Sequence, residues 1–506
     1  MASSISEIKV APSNPNHWTD KINWLYPTLV LAIFLCFYKL GDTPIEQWDE
    51  AHTGINAIEM LQTGDYINLY FGGEPDRIRA KPPFVIWMVA TNFSLFGYNA
   101  FSLRLHSAIA GVFIFFFVFR IVNLYRPPLF AFGVCLMLLS VRAIIGFHVS
   151  RTGDFDAVLI AFLLAGLYYF LRYLDFMRYH DIYKAAILWG FAFLTKGPAF
   201  GVLFPGLLLY LLVDGRLMHV LRLREVYKAV GILLIFPIAW YLTIYFFGHQ
   251  LDDPLVSGRN AFERMFLYDI VDRFTQNEFE GKHETADPLF LYHVLRENFR
   301  YWDLVFYAVL LGGIVRKFIT GLPNWEPLRY RFTILSICIW LPLAIFLSMG
   351  TASKYWYFSP AVPFVAATAM SGIWWLYKQF PRVVLGGFLL FWVFCMYYRY
   401  LGPKPQPTEG SMPDEIYTQV VHRQTENLAE EETIYQIGEW PAQRVLLDLY
   451  FANPNVVYAS TEEALADPES NISVFIRREE WEKQPERFVD FAVVDQDEFF
   501  LILEKN

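Results

Sequence analysis

Charge is what this 506-residue sequence has least of. Lys and Arg number 41 and Asp and Glu 50, together 18% of the chain, against about 25% in ordinary soluble domains. The shortfall excludes the roughly three or four water-soluble domains that length alone would suggest. Basic runs are missing as well. With a net charge of −9 and no basic face, the chain lacks the electrostatic footprint of nucleic-acid binding, and no nucleic-acid partner is expected. Cysteine is scarce: Cys36, Cys135, Cys338 and Cys395 each stand inside an apolar run. That excludes a disulfide framework and a Cys-based metal site. There is no internal repeat and no low-complexity tract. The polar stretch 1–20 does not suit a cleaved signal peptide, so the first apolar segment reads as an uncleaved anchor.

What is there is apolar. Such residues make up 55% of the chain and aromatics 18%, with 48 Phe, 30 Tyr and 15 Trp, and the mean hydropathy is +0.31. So much apolar surface calls for lipid as the solvent. A spanning helix needs about 20 mostly apolar residues. Spans are expected at 23–40, 101–124, 129–148, 155–174, 184–195, 199–213, 227–247, 301–318, 332–349, 356–377 and 383–401. The pair 184–195 and 199–213 is short and is interrupted by Thr195-Lys196-Gly197-Pro198. The expected fold class is therefore a polytopic α-helical membrane protein of about 11 transmembrane helices, with a small C-terminal α/β soluble domain.

Orientation follows from where the scarce bases fall. Arg126, Arg172, Arg178, Lys184, Arg216, Arg222, Arg224, Lys228, Arg316, Lys317, Arg329, Arg331, Lys378 and Arg382 occupy one set of short connections, which should be cytoplasmic. The alternate connections, including the long loops 41–100 and 248–300, then face outward. The N-terminus is cytoplasmic and the C-terminus external. A transmembrane domain over 1–402 gives way to a stiff linker, Gly402-Pro403-Lys404-Pro405-Gln406-Pro407, and 403–506 forms the linker and an extracytoplasmic appendage. In it, β-rich runs at 433–437, 456–458, 472–476, 491–494 and 499–503 alternate with acidic helical stretches such as 461–467.

The unusual polar residues all fall on the external side. Loop 41–100 carries Trp48-Asp49-Glu50-Ala51-His52, Glu59-Met60 and Gly64-Asp65-Tyr66, then Arg77, Arg79, Lys81-Pro82-Pro83 and an amphipathic stretch over 84–97. Asp49 and Glu50 would favour a helix start at 50–62 in any case, by complementing its dipole. Opposite a Lys/Arg cluster on the bilayer surface, they also read as a polar site. A second cluster, Arg151-Thr152-Gly153-Asp154-Phe155-Asp156, stands at the entry to an apolar span. Snorkelling accounts for Arg151 alone, but not for two acids at the same boundary. Lys196, between two short spans, and Lys354, before Tyr355-Trp356-Tyr357-Phe358, complete the set. Each alone is an interfacial anchor more often than a ligand contact.

Acids and bases around one external, lipid-adjacent space suit a sugar carried on a lipid phosphate. Lys and Arg would stabilise charge growing on the phosphate leaving group. One carboxylate could take the proton of the acceptor hydroxyl. Direct displacement of this kind inverts the anomeric centre and needs one base rather than a nucleophilic pair.

At this point the motifs resemble a known family. The run Asp49-Glu50, Glu59-Met60-Leu61, Gly64-Asp65-Tyr66, Lys81-Pro82-Pro83, Leu95-Phe96-Gly97, Arg104-Leu105 is similar in order and spacing to the first external loop of the C-type glycosyltransferases, the protein O-mannosyltransferase superfamily. Within it the chain most resembles the bacterial transferases that add aminoarabinose to lipid A. Asp156 before its apolar helix, Leu194-Thr195-Lys196-Gly197, Tyr357-Phe358-Ser359-Pro360 with Pro363, and the 262–292 region with Phe262, Arg273-Phe274, His283 and Pro288-Leu289-Phe290-Leu291-Tyr292 extend the likeness over about 25–380.

The resemblance implies a C-type glycosyltransferase fold with its site between the first loop and the membrane. It implies Asp49 as base with Glu50 beside it, Asp156 as a second required acid, and Lys81 at the donor phosphate or acceptor. Lys196, Arg273 and Lys354 would be further anion contacts. Arg79, Arg151, Asp154 and Tyr357 join the expected substrate-binding set. Lys354 stands three residues before Tyr357 where relatives often have four, and Asp154 adds an acid to which the resemblance assigns no role. Some relatives bind a divalent metal near the site, and His283 matches that position; a histidine in a polar loop is otherwise structural. No other cofactor is implied. The expected partners are a polyprenyl-phosphate-linked sugar donor, a lipid, glycan or protein acceptor, and membrane lipid. The expected state is a monomer in the bacterial inner membrane. Two rival readings are a flippase for lipid-linked glycans, which would place binding residues near the midplane of repeated halves, and a polymer-joining glycan ligase.

Overall fold

The computed structural model describes residues 22–43, 45, 48–76, 81–146, 148–176, 178–248, 278–279, 282–283, 286–320, 327–350 and 353–400, and, beyond them, 433–437, 446–447, 450–451, 456–459, 461–467, 472–496 and 500–505. Up to Tyr400 it is mostly helical: α1 (Leu25–Phe37), α2 (Asp49–Thr63), the short hairpin β1 (Tyr70–Phe71) and β2 (Glu74–Pro75), α3 (Phe84–Phe96), α4 (Ala100–Asn123), α5 (Pro128–Leu139), α6 (Asp156–Phe176), α7 (Asp181–Lys196), α8 (Phe204–Val213), α9 (Leu217–Leu221) and α10 (Arg224–Phe247). A hairpin of β3 (Glu278–Phe279) and β4 (Lys282–His283) precedes α11 (Phe290–Asn298), α12 (Trp302–Thr320), α13 (Pro327–Met349), α14 (Val362–Gln379) and α15 (Pro381–Tyr400).

Among the described residues six helical runs are long and apolar enough to cross a membrane, and α1, α3, α5 and the first part of α12 are shorter apolar helices. The expected count of eleven full spans is therefore not reached by length. The outer helices α10 and α15 are apolar yet scarcely buried, with Tyr245, Phe246, Val383 and Leu390 turned outward. In water that surface would be a liability; in lipid it is the ordinary exterior.

Two expected spans change shape. The segment 129–148 is not one helix: α5 ends at Leu139, and the described residues 140–146 and 148–155 run in turns and bends. Ile144, Ile145 and Val149 are fully buried there. Irregular backbone at membrane depth is tolerated where protein surrounds it, so this stretch is apolar because of its neighbours and not because of lipid. The span 356–377 likewise opens as a 3-10 turn, Tyr355–Ala361, before α14 begins with Pro363 in its first turn.

The helix directions define two ends of the bundle. Asp156, opening α6, meets Lys196, closing α7, at 2.7 Å. A 3-10 turn, Gly197–Leu203, then sends the chain back through α8, so that Arg216 Nη1 donates to Asp175 Oδ1 near the far end of α6 at 2.5 Å. Gly206 lets α8 approach the α13 backbone, since a Cβ there would stand 2.5 Å from the Cys338 carbonyl. Asp175 also accepts from the Tyr125 hydroxyl and lies 3.6 Å from Arg331. The expected cytoplasmic bases Arg216 and Arg331 thus share the end opposite Asp156.

The C-terminal part is a five-stranded mixed sheet, as the β-rich runs suggested. It contains β5 (Thr433–Ile437), β6 (Val456–Ala459), β7 (Ile472–Arg477), β8 (Phe491–Gln496) and β9 (Phe500–Lys505), in the order β6-β5-β7-β9-β8. The first three strands are parallel and the last two antiparallel to their neighbours. Strand alternation gives it two apolar faces. Ile472, Val474, Ile476, Leu501 and Leu503 form a core with Ala464, Phe488 and Phe491. Phe475, Ile502 and Ile434 face the other way and join the core of the membrane part together with Leu446, Leu447 and Tyr450.

Candidate functional site

The site is built on the first turn of α2. Asp49 and Glu50 both stand there, where unsatisfied N–H groups and the dipole favour carboxylates, but they face different surroundings. Glu50 is fully buried. Its Oε1 and Oε2 accept from Arg104 Nε at 2.6 Å and Nη2 at 2.9 Å, and Oε1 also accepts from the Gly153 N–H at 2.7 Å. Arg104 Nη1 in turn donates to the carbonyls of Leu40 and Thr43. Glu50, expected beside Asp49 among the catalytic acids, is here tied to Arg104 and Gly153, and so joins α2, α4, the end of the first span and the 153 turn. The Asp49 side chain, in contrast, is 42% exposed.

Behind Asp49 the turns 140–155 bring up His148 and Asp154. His148 Nδ1 lies 3.4 Å from Asp154 Oδ2 and 3.9 Å from Asp49 Oδ2, and its ring stacks on Trp356 with centroids 4.0 Å apart. Its backbone is left-handed, φ 61°, a conformation that costs about 1–3 kcal/mol for a side-chain-bearing residue and is held only by its surroundings. Burial alone would push the His148 pKa down; the Asp154 and Asp49 charges raise it above the usual value. Burial would raise Asp154, and His148 more than reverses that, holding the carboxyl below its ordinary range. His106 Nε2 and the Ser107 hydroxyl, both on α4, lie 3.2 and 3.1 Å from the Asp154 carbonyl and fix this turn.

Asp156 and Lys196 form the second buried unit. Lys196 Nζ is 2.7 Å from both carboxylate oxygens of Asp156 and sits over the Tyr357 ring at 5.6 Å. Lys81 Nζ stands 5.1 Å from the ring centre of Phe155, between the two acids. Lys354 precedes the 3-10 turn that carries Trp356 and Tyr357. The structure thus gathers Asp49, Asp154, Asp156, Lys81, Lys196, Lys354 and Tyr357 around one end of the bundle. Arg151 it assigns elsewhere. The Arg151 guanidinium donates to the carbonyls of Leu35, Tyr38 and Lys39 at 2.7, 2.8 and 3.2 Å, at the C-terminal end of α1, where a cation meets unsatisfied carbonyls and the negative end of the dipole. Arg151, expected in the substrate-binding set, is thus engaged as a cap on α1. Arg79 and Arg273 lie outside the described residues, as does the His283 side chain.

A second network holds the loop that leads to Lys81. His52, Asn56 and Glu59 recur along one face of α2. His52 Nε2 lies 2.6 Å from Asp76 Oδ2, and Asn56 Nδ2 donates to the same oxygen at 2.9 Å and to the Tyr70 carbonyl at 2.6 Å. Glu59 accepts from the N–H groups of Gly72 and Gly73 at 2.7 and 3.1 Å. Both glycines have positive φ, 66° and 81°, which the β1–β2 turn requires and glycine adopts without penalty.

Comparison with known proteins bears on this arrangement. Residues 80–242 match the family described as dolichyl-phosphate-mannose-protein mannosyltransferase. The fold is similar to the crystal structure of ArnT from Cupriavidus metallidurans bound to undecaprenyl phosphate, with a TM-score of 0.66 and 15% identity over 95% of this chain and 97% of that one. The chain is thus similar to the C-type glycosyltransferases, in sequence over 80–242 and in fold along most of its length. Among curated relatives, the undecaprenyl phosphate-alpha-4-amino-4-deoxy-L-arabinose arabinosyl transferase of Pseudomonas savastanoi pv. phaseolicola is 27% identical over 237 residues, 44% of each chain. An uncharacterized Aquifex aeolicus protein is 25% identical over 296 residues, 57% of this chain and 54% of that one. The chain thus spans about half the length of the curated relatives it matches.

The ligand atoms of Asp49, His148 and Asp154 all lie within 4.8 Å of one another, and Asp154 Oδ1 is buried without a hydrogen-bond partner among the described residues, so this set could hold a divalent ion; the expected ligand His283 has its side chain outside the described residues. The sequence did not single out His148, for which a histidine inside an apparent span was the available signal, and it gave Arg104 only as part of the family-like run, with no partner assigned.

Proposed function

We propose that this chain transfers a sugar from a polyprenyl-phosphate carrier to an acceptor hydroxyl on the extracytoplasmic face of the membrane. Asp49 is the general base. One observation carries the assignment: of the acids gathered at this end, Asp49 alone is both open to incoming molecules and backed by buried groups. Glu50 is committed to Arg104, Asp156 to Lys196, and Asp154 faces His148. A base must reach the proton it takes.

In the proposed step the acceptor oxygen attacks the anomeric carbon while the carbon–oxygen bond to the carrier phosphate breaks. The electron pair leaves with the phosphate, the hydroxyl proton passes to Asp49, and the anomeric centre inverts. Lys81, Lys196 and Lys354 supply positive charge where the leaving phosphate gains negative charge. His148, 3.4 Å from Asp154 and 3.9 Å from Asp49, stands between the two carboxylates and offsets their repulsion. A divalent ion held by Asp49, His148 and Asp154 would supply Lewis-acid charge near the phosphate. The aromatic turn Tyr355–Ala361 and Phe155 wall the site against water. The membrane setting suits a donor whose tail is insoluble in water, and the relatives' names support a polyprenyl-phosphate donor; the sugar and the acceptor are left to experiment.

The test is Asp49→Asn in the purified, membrane-embedded protein. Transfer should fall about 10²–10⁴-fold, the usual contribution of a general base, with the melting midpoint unchanged. Transfer at the wild-type rate would overturn the assignment.

A further inference from the structure

The C-terminal sheet domain reaches the first external loop through one described stretch, Leu446, Leu447, Tyr450 and Phe451. Leu446 and Leu447 are fully buried and Tyr450 is 4% exposed. Leu447 fills the notch left by Gly54 in the middle of α2: a Cβ at Gly54 would stand 2.7 Å from both Leu447 methyls. The Phe451 ring meets Phe93 of α3 edge-on at 5.9 Å. Between these apolar contacts the Tyr450 hydroxyl donates to Glu59 Oε1 at 2.8 Å, in a buried setting. That oxygen is the one that also accepts from the Gly72 N–H.

We propose that Tyr450 is a positioning residue for the transferase site, and that the C-terminal domain, through it, latches the loop that carries Lys81. The chain of contacts is short. Tyr450 orients the Glu59 carboxylate; Glu59 holds the two glycine amides of the β1–β2 turn; the turn delivers Asp76 to His52 and Asn56, on the same helix as Asp49. From Asp76 the backbone runs to Lys81. Without the hydroxyl, Glu59 keeps its charge in a buried place with one donor fewer. Burial already pushes its carboxyl up, and the Gly73, Tyr450 and Gly72 donors work against that push while the Asp76 charge adds to it. The C-terminal domain is then a structural part of the site and not an appendage. This inference rests on reading α2 and the Lys81 loop as the site of sugar transfer.

Its test uses the full-length protein in lipid nanodiscs. In Tyr450→Phe, amide hydrogen exchange at Gly72 and Gly73 should quicken about tenfold, the effect of losing one hydrogen bond to a charged group. The kcat per folded molecule should fall about tenfold while the donor KM stays within about twofold. The acid limb of the pH profile should move to higher pH, because Glu59, facing Asp76, Tyr450 and the two amides, loses a donor that favours its charged form. A merely structural role would reduce the yield of folded protein and leave these three readouts unchanged. Glu59→Gln provides the second route should Tyr450→Phe fold poorly: it should quicken the same exchange, and adding Tyr450→Phe to it should do less than in the wild type. Unchanged exchange at Gly72 and Gly73 in both variants overturns the proposal. If the wild type transfers no sugar, the functional reading falls by itself, and the exchange result still decides whether the latch exists.

Discussion

Arg104 and Glu50 offer the sharpest test of how the site is held. Each is almost wholly buried, 1% and 0% exposed at the side chain, and they meet through two parallel hydrogen bonds. In Arg104→Met, Glu50 would remain charged and buried, stripped of its paired guanidinium and with the Gly153 N–H still donating to it. Breaking a buried pair from one side costs about 3–5 kcal/mol. Removing both partners, in Glu50→Met with Arg104→Met, removes the stranded charge. It leaves orphaned the Gly153 N–H and the Leu40 and Thr43 carbonyls that Arg104 had served, at about 1 kcal/mol each. The double variant should therefore be more stable than Arg104→Met, and the two substitutions should couple by about 2–3 kcal/mol. Melting midpoints of the purified protein, ranked across the four forms, give the answer. A double variant that melts below Arg104→Met, or an Arg104→Met that melts with the wild type, would refute the assignment. Glu50→Gln extends the test: it should lower the melting midpoint, while kcat per folded molecule changes far less than in Asp49→Asn.

Three further expectations follow from the geometry. Arg151→Ala frees the carbonyls at the end of α1 and should cost about 1–3 kcal/mol of stability, with the donor KM unchanged; a raised donor KM would return Arg151 to the phosphate site. Lys196→Met strands Asp156 and should cut transfer by about 10²-fold or more, and Asp156→Asn combined with it should restore thermal stability but not transfer; recovery of transfer would make the pair purely structural. The third is a pH dependence. Asp65 is lowered, since the Asn68 side chain, the Asn68 and Ile67 amides and the Tyr70 hydroxyl outweigh the effect of burial. A carboxyl lowered in the folded state stabilises it above the unfolded value of 3.8, and that stability is lost as pH falls through the lower folded value. Melting between pH 5 and pH 3, about the range in which a carboxylate titrates, should show this loss in the wild type and less of it in Asp65→Asn.

The sequence made much of the architecture legible, for physical reasons that differ from place to place. Apolar runs of spanning length marked α4, α6 and α10 because lipid imposes both composition and length. Asp49, Asp156 and Lys196 stood out because ionisable groups at a membrane boundary need a reason. The five strands near the C-terminus showed their β-branched runs. What could not be read is what each charge touches. Arg151 looks the same in sequence whether it meets a phosphate or the carbonyls of α1, and Glu50 beside Asp49 looks like its equal although one is buried and one is not. The run 141–150 is as apolar as a span, since hydropathy does not distinguish lipid from the interior of a protein. His148 was hidden inside that misreading. Tyr450 carries no local signal at all: its meaning depends on a carboxylate far away in the chain.

The hydrogen bond between Tyr450 and Glu59 spans 391 positions, and this separation is also an interval in time. At about 5–20 residues per second, a ribosome that has just made Glu59 needs about 20–80 s more to make Tyr450. Throughout that interval the nascent chain already contains Asp49, soon joined by Lys81, Asp156 and Lys196, while the first loop stays unlatched. On the proposed reading, full-rate transfer waits until synthesis has passed the sheet domain, and a chain cut short before residue 450 should carry every reactive group yet transfer sugar at least about tenfold more slowly, as expected for Tyr450→Phe.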